Sequence, residues 1–92
     1  MEEFKGTPGP WFRDNGRAIG PKSAEDDQSY GMVIPVGWVE FDPEIEVQVA
    51  NQQMMAAAPE LLEALQLMLD SQVLPVWHQS IARAAINKAL GK

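Results

Sequence analysis

The nine residues Trp11-Phe12-Arg13-Asp14-Asn15-Gly16-Arg17-Ala18-Ile19 decide how this chain begins to fold. Two short runs of aromatic, aliphatic and long side chains flank Asp14-Asn15-Gly16. Asn-Gly readily takes the positive φ angles of a tight hairpin turn. The spacing predicts a β-hairpin with one arm over Trp11–Arg13 and the other over Arg17–Ile19. Gly20-Pro21 then predicts a stop, and Lys22 to Ser29 shows no apolar periodicity. Residues 21–29 therefore read as a solvated, mobile loop.

Toward the C-terminus, Tyr30 to Phe41 is the next β candidate. Met32, Val33, Ile34, Val36, Trp38, Val39 and Phe41 supply side chains suited to a half-buried pleated surface. Ile34, Val36, Trp38 and Glu40 share one parity; Val33, Pro35, Gly37, Val39 and Phe41 share the other. Pro35 cannot donate to a ladder, so it marks an edge, a bulge or a break. One bent strand or two short ones would fit. A three-stranded antiparallel sheet is the economical result.

Asp42-Pro43-Glu44 can open a helix, with Asp42 as N-cap and Pro43 at the first helical position. Against that, Ile45, Val47 and Val49 alternate with Glu46 and Gln48 in the manner of a strand. The alternation favours strand or extended chain here, with a helix starting near Asn51. In Met54-Met55-Ala56-Ala57-Ala58-Pro59-Glu60-Leu61-Leu62-Glu63-Ala64-Leu65-Gln66, Pro59 removes a backbone donor and restrains Ala58, so a helix must end or kink there. A longer helix follows, with Leu61, Leu65 and Met68 plus Leu62 and Leu69 as its apolar stripe, and Glu60, Glu63, Gln66 and Asp70 mostly away from it. Ser71 to Pro75 connects to a last helix whose inner face is Trp77, Ile81, Ala84 and Ala85, widened by Ile86 and Leu90. Gly91 is its stop. The expected architecture is one α+β domain over residues 1–92. A small antiparallel sheet of about three strands packs against two or three C-terminal helices, the last two forming a hairpin on the sheet.

At 92 residues and 46% hydrophobic content the chain can fold as one small domain, burying roughly 60–65% of its unfolded surface. It has no cysteine, which excludes disulfides, thiolate metal sites and a cysteine nucleophile. Its start lacks the charged and apolar regions of a signal peptide, and no apolar run approaches the ~20 residues that span a bilayer. The expected location is the cytoplasm of a bacterial cell, without membrane association. The net charge is −6, and residues 1–48 hold ten acids against four bases, whereas residues 49–92 hold three of each. Direct nucleic-acid binding is disfavoured, because counterion release needs clustered Lys and Arg.

The opening Thr7-Pro8-Gly9-Pro10-Trp11 and the proline-punctuated Ala/Leu helix together resemble a group of small proteins encoded by phages and prophages of Gram-negative bacteria. In that group a T-P-G-P-W start precedes a short β-rich region, and an A-A-A-P-E-L-L-E-A-L helix follows. The resemblance covers about a third of the chain and carries no catalytic residues. It implies an accessory gene, dispensable for virion building, acting on host or rival-phage machinery.

No motif points to catalysis, so the expectation is a non-enzymatic protein without cofactor or metal. His78 has no companion base or nucleophile and reads as a structural histidine. Glu25, Asp26 and Asp27 lack the alternating spacing and glycine of a calcium loop. The glycines form neither G-x-G-x-x-G nor a phosphate-binding loop. What remains is binding. A protein partner is expected, with Trp11, the acidic run Glu25-Asp26-Asp27, Trp38 and the adaptable Met54-Met55 pair as candidate contacts. Core filling by Met54-Met55 and anchoring of an N-terminal turn by Trp11 are the plainer readings. Two alternatives stand beside it: binding of a nucleotide-like ligand, if Arg13, Arg17, Lys22 and Arg83 converge, and self-association into a homo-oligomer.

Overall fold

A computed structural model of the chain describes residues 3–23 and 32–92. It shows a three-stranded antiparallel sheet and three helices, a small α+β fold. The chain divides into two compact units: residues 7–59, and residues 60–92 together with the N-terminal residues up to Gly6.

In the first unit the strands are β1 (Phe12–Arg13), β2 (Ala18–Gly20) and β3 (Gly37–Trp38), in spatial order β1-β2-β3. The hairpin forms where the sequence places it, but not through the expected positive φ at Asn15-Gly16: among the described residues only Gln72 and Gly91 have a positive φ. Its turn is held by the Asp14 carboxylate, whose Oδ1 accepts from the Gly16 N–H at 2.8 Å and the Ala18 N–H at 3.1 Å. This self-bonding habit is what suits Asp to turns.

Gly20-Pro21 does not end the pairing. The Ile34 N–H donates to the Pro21 carbonyl at 2.7 Å, Lys22 bridges Val33, and the Ser23 N–H donates to Met32 O at 2.9 Å. Pro21 lacks a donor but keeps its acceptor, and that acceptor carries the ladder onward. Lys22 and Ser23 thus leave the expected loop, and Ser23 is buried. Residues 24–29 of that loop lie outside the described residues.

Pro35 marks a bulge. Between the Ile19–Gly37 pair and the Lys22–Val33 bridge, three residues on the third strand oppose two on the second. Across this bulge the backbone approaches so closely that a Cβ at Gly20 would collide with the Ile34 carbonyl oxygen.

The main correction concerns residues 45–50, which are helical. Helix α1 spans Ile45–Ala56 and not a segment starting near Asn51. Asp42 Oδ1 accepts from the Glu44 N–H at 2.8 Å, and Gln48 Oε1 accepts from the Asp42 N–H at 3.1 Å. These two bonds close the entry turn, although Asp42 and Pro43 precede the helix and Glu44 occupies the N-cap position without a side-chain cap bond. Alternation of Ile45, Val47 and Val49 misleads because α1 does not use them as its buried stripe. It buries Gln48 and Gln52, one turn apart.

The register divides the sheet into two faces, since residues opposite each other in an antiparallel pair point the same way. Arg13 opposes Ile19, and Ile19 opposes Gly37. This face carries α1: Ile19 is 1% exposed, Val39 is buried at the same parity as Gly37, and the Arg13 Nε–H donates to Gln52 Oε1 at 3.1 Å. Gln52, 0% exposed, also donates through Nε2 to the carbonyls of Ala18 (2.9 Å) and Asp14 (3.3 Å). Three of the four hydrogen-bonding positions of one amide are used, tying helix to hairpin.

Helix α2 spans Ala58–Asp70, separated from α1 by a one-residue turn at Ala57. The break beside Pro59 is as expected, but it falls at Ala57, and Ala58 is already helical. In the second unit α2 ends where Gln72 takes a left-handed φ of 58°. Helix α3, Val76–Ala89, ends in paired bonds from Gly91 N to Lys88 O (3.2 Å) and Lys92 N to Asn87 O (2.8 Å), with Gly91 at φ 80°. That Schellman arrangement explains the glycine. The inner face of α3 is displaced from the expected one. Ala82 and Ile86 are buried, whereas Trp77, Ile81, Ala84 and Ala85 are exposed. On α2 Gln66 is buried and Leu61 and Met68 are exposed, against expectation, whereas Leu62, Leu65 and Leu69 are half-buried and Glu60, Glu63 and Asp70 exposed, in line with it.

Candidate functional site

The sheet face turned away from α1 is built from Phe12, Ala18, Gly20 and Trp38. Phe12 opposes Gly20 and Ala18 opposes Trp38. Here the central strand supplies only a methyl group and a hydrogen, both buried. The large side chains come from the outer strands. Trp38 is 65% exposed and Phe12 is more than a third exposed. The Lys22 ammonium lies 4.6 Å from the centre of the Phe12 ring, within cation–π range. The face thus presents an indole on one outer strand and, across β2, a phenyl ring with an ammonium group over it. Aromatic residues are enriched at protein–protein contacts because they offer large area at little rotamer cost.

The other expected contact residues fall into three groups. Trp11 is half-buried, and its Nε1–H donates to the Thr7 carbonyl at 3.2 Å, so it pins the N-terminal turn to itself. Met54 is 65% exposed and Met55 less so; neither fills the core. Successive helical residues diverge by about 100°, so the pair does not form one patch. Met54 instead lines up with Val47, seven residues earlier and also exposed, on a flank of α1. Glu25, Asp26 and Asp27 lie outside the described residues. Among the described residues no ring contact joins Trp11 to Trp38.

Sequence reasoning passed over Phe12 and Lys22 as contacts, yet the signal was present. Once Asn15-Gly16 sets the turn, the hairpin register puts Phe12 opposite Gly20, on the face with Trp38. Phe41, expected in the sheet, and Ile45, expected in a strand or extended chain, are also exposed.

Two of the cations considered for a nucleotide-like ligand are engaged within the fold: Arg13 with Gln52, Lys22 with the Phe12 ring. In the second unit His78 is exposed beside Trp77, their ring centres 6.0 Å apart. His78 also lines an apolar hollow of about 200 Å³ with Leu65, Leu74, Ile81, Ala82 and Ala85. No helix among the described residues is long and apolar enough to cross a membrane.

No curated protein and no solved structure matches the chain. A family model does, over residues 1–92, and it is described as Salmonella phage P22 protein Y8K6. With the whole length matched, the chain belongs to this phage protein family.

Proposed function

We propose that this phage protein is a non-enzymatic accessory factor that binds another protein, of the host cell or of a competing phage, such as a defence or regulatory protein. The observation that supports this reading best is the exposed Trp38 on the sheet face away from α1. Burying a tryptophan stabilises by more than any other single side-chain contact is apt to, and the fold leaves this one in water. Phe12 and Lys22 extend the same face, and Met54 with Val47 offers a second, softer strip on α1. The net charge of −6 favours a basic partner surface and faster encounter with it. On charge grounds the run Glu25-Asp26-Asp27 belongs to the same proposal.

The test is native mass spectrometry of tagged protein recovered from a lysate of the bacterial host, with Trp38→Ala in parallel. The expected result is a defined protein mass on the wild type that falls at least tenfold on the variant. An equal amount of the same mass on both would remove Trp38 from the site. Charge reversal at Glu25, Asp26 and Asp27 is expected to weaken capture and to flatten its salt dependence. A captured small molecule would replace protein binding with the nucleotide-like alternative.

A further inference from the structure

The second unit exposes an apolar surface that the Trp38 face does not include. Leu65 of α2 and Leu74, His78, Ile81, Ala82 and Ala85 of α3 line the hollow of about 200 Å³. Leu61 and Met68 stand beside Leu65 at helical spacing, on the same side of α2. Trp77 stands beside Ile81 on α3, one turn away. Trp77 is 72% exposed, and Leu61, Met68 and Ile81 are each about half exposed.

We infer that this surface is the interface of a twofold homodimer, in which Trp77 of each copy enters the other copy's hollow. Three observations carry the choice of a second copy as the occupant. The first is area. The four exposed side chains offer on the order of 450 Å² of apolar surface, which is the apolar share of the ~800 Å² that one partner contributes to a standard interface. The second is shape. A knob and a hole adjoin on one surface, and a twofold axis makes such a surface complementary to itself, because residue i meets j and j meets i.

The third is charge. Helix α2 carries Glu60, Glu63 and Asp70 and no base, while α3 carries Arg83 and Lys88 and no acid. Glu60 lies on the flank of α2 next to Leu61, and Lys88 continues the Trp77–Ile81 stripe of α3. Both are exposed. Laying α2 across the partner's α3 sets acid against base at both ends of the axis. Pairing α2 with α2 would set acid against acid.

Sedimentation velocity on the full chain over a hundredfold concentration range tests this. The wild type is expected to run at twice the 10.2 kDa chain mass. Trp77→Ala is expected to raise the dimer dissociation constant at least tenfold with helix content unchanged by circular dichroism. Ala85→Trp, which fills the hollow from within its own chain, should do the same. Lys88→Glu alone should weaken the dimer several-fold, and Glu60→Lys added to it should restore the wild-type constant. A wild type that stays at 10.2 kDa throughout would overturn the inference. So would a Trp77→Ala protein that dimerises as the wild type does, or a charge swap that restores nothing. None of these readouts depends on Trp38 or on capture of another protein, so this inference and the proposed function can fail separately.

Discussion

The two faces of the small sheet solve different problems with the same three strands. One is closed: Ile19 and Val39 are buried on it, α1 lies over it, and Gln52 links Arg13 to two hairpin carbonyls. The other is open: Ala18 and Gly20 are its only buried members, and Trp38 and Phe12 look outward. The closed face is packed under a helix, and the open face leaves its large rings exposed. The comparison teaches that apolar content does not show which side of this sheet is the core. The side chain that commits α1 to the sheet is an amide, and the largest aromatic ring on the strands is the one left in solvent.

The largest effect should come from the closed face. Gln52→Leu keeps bulk but removes the acceptor for Arg13 and the donors for Asp14 O and Ala18 O. Only the bond to Ala18 O is buried, and that carbonyl keeps its bond from the Asp14 N–H, so losing the three bonds is expected to cost about 3 kcal/mol in urea unfolding. A loss below about 1 kcal/mol would break the claim that the amide anchors α1. Ile19→Ala removes the most deeply buried aliphatic side chain and is expected to cost about 3 kcal/mol by the same measurement.

Asp14→Ala should come next, at about 1–2 kcal/mol, because two exposed or half-buried turn bonds are lost while the backbone can turn to water. Smallest is Trp38→Ala, expected to change unfolding by no more than about 0.5 kcal/mol, since its ring already meets water. The open face would then differ from the closed one in kind, with binding and stability responding to separate residues.

Much of this comparison was legible in the sequence, and what was missed has a common cause. Asp14-Asn15-Gly16 placed the hairpin because turn chemistry is local. Pro35 and Pro59 marked a bulge and a helix break because a missing donor acts wherever it stands. Gly91 ended α3 through a left-handed φ that favours glycine. By contrast, the start of α1 was read as extended because apolar alternation is the usual signal, and here the buried stripe is Gln48 and Gln52. Polar anchors at helical spacing leave no trace in a hydrophobic pattern. The same effect hides Gln66 on α2, a buried amide at helical spacing from the half-buried Leu62 and Leu69. On α3 Ile86 is buried as expected, but the large Trp77 and Ile81 are exposed and Ala82 takes the inner position beside it. Among the candidate contact residues, Trp38 and Met54 are conspicuous in the sequence, and both are exposed. Phe12 joins them only once the hairpin register, already implied by the position of the turn, is followed through to Gly20.

The most direct test is to unfold Gln52→Leu and Trp38→Ala side by side with the wild type in urea, in one buffer. If the closed face holds the fold and the open face is reserved for contact, Gln52→Leu loses about 3 kcal/mol and Trp38→Ala stays within about 0.5 kcal/mol of wild type. Equal losses for the two variants would contradict the division and make Trp38 a part of the core.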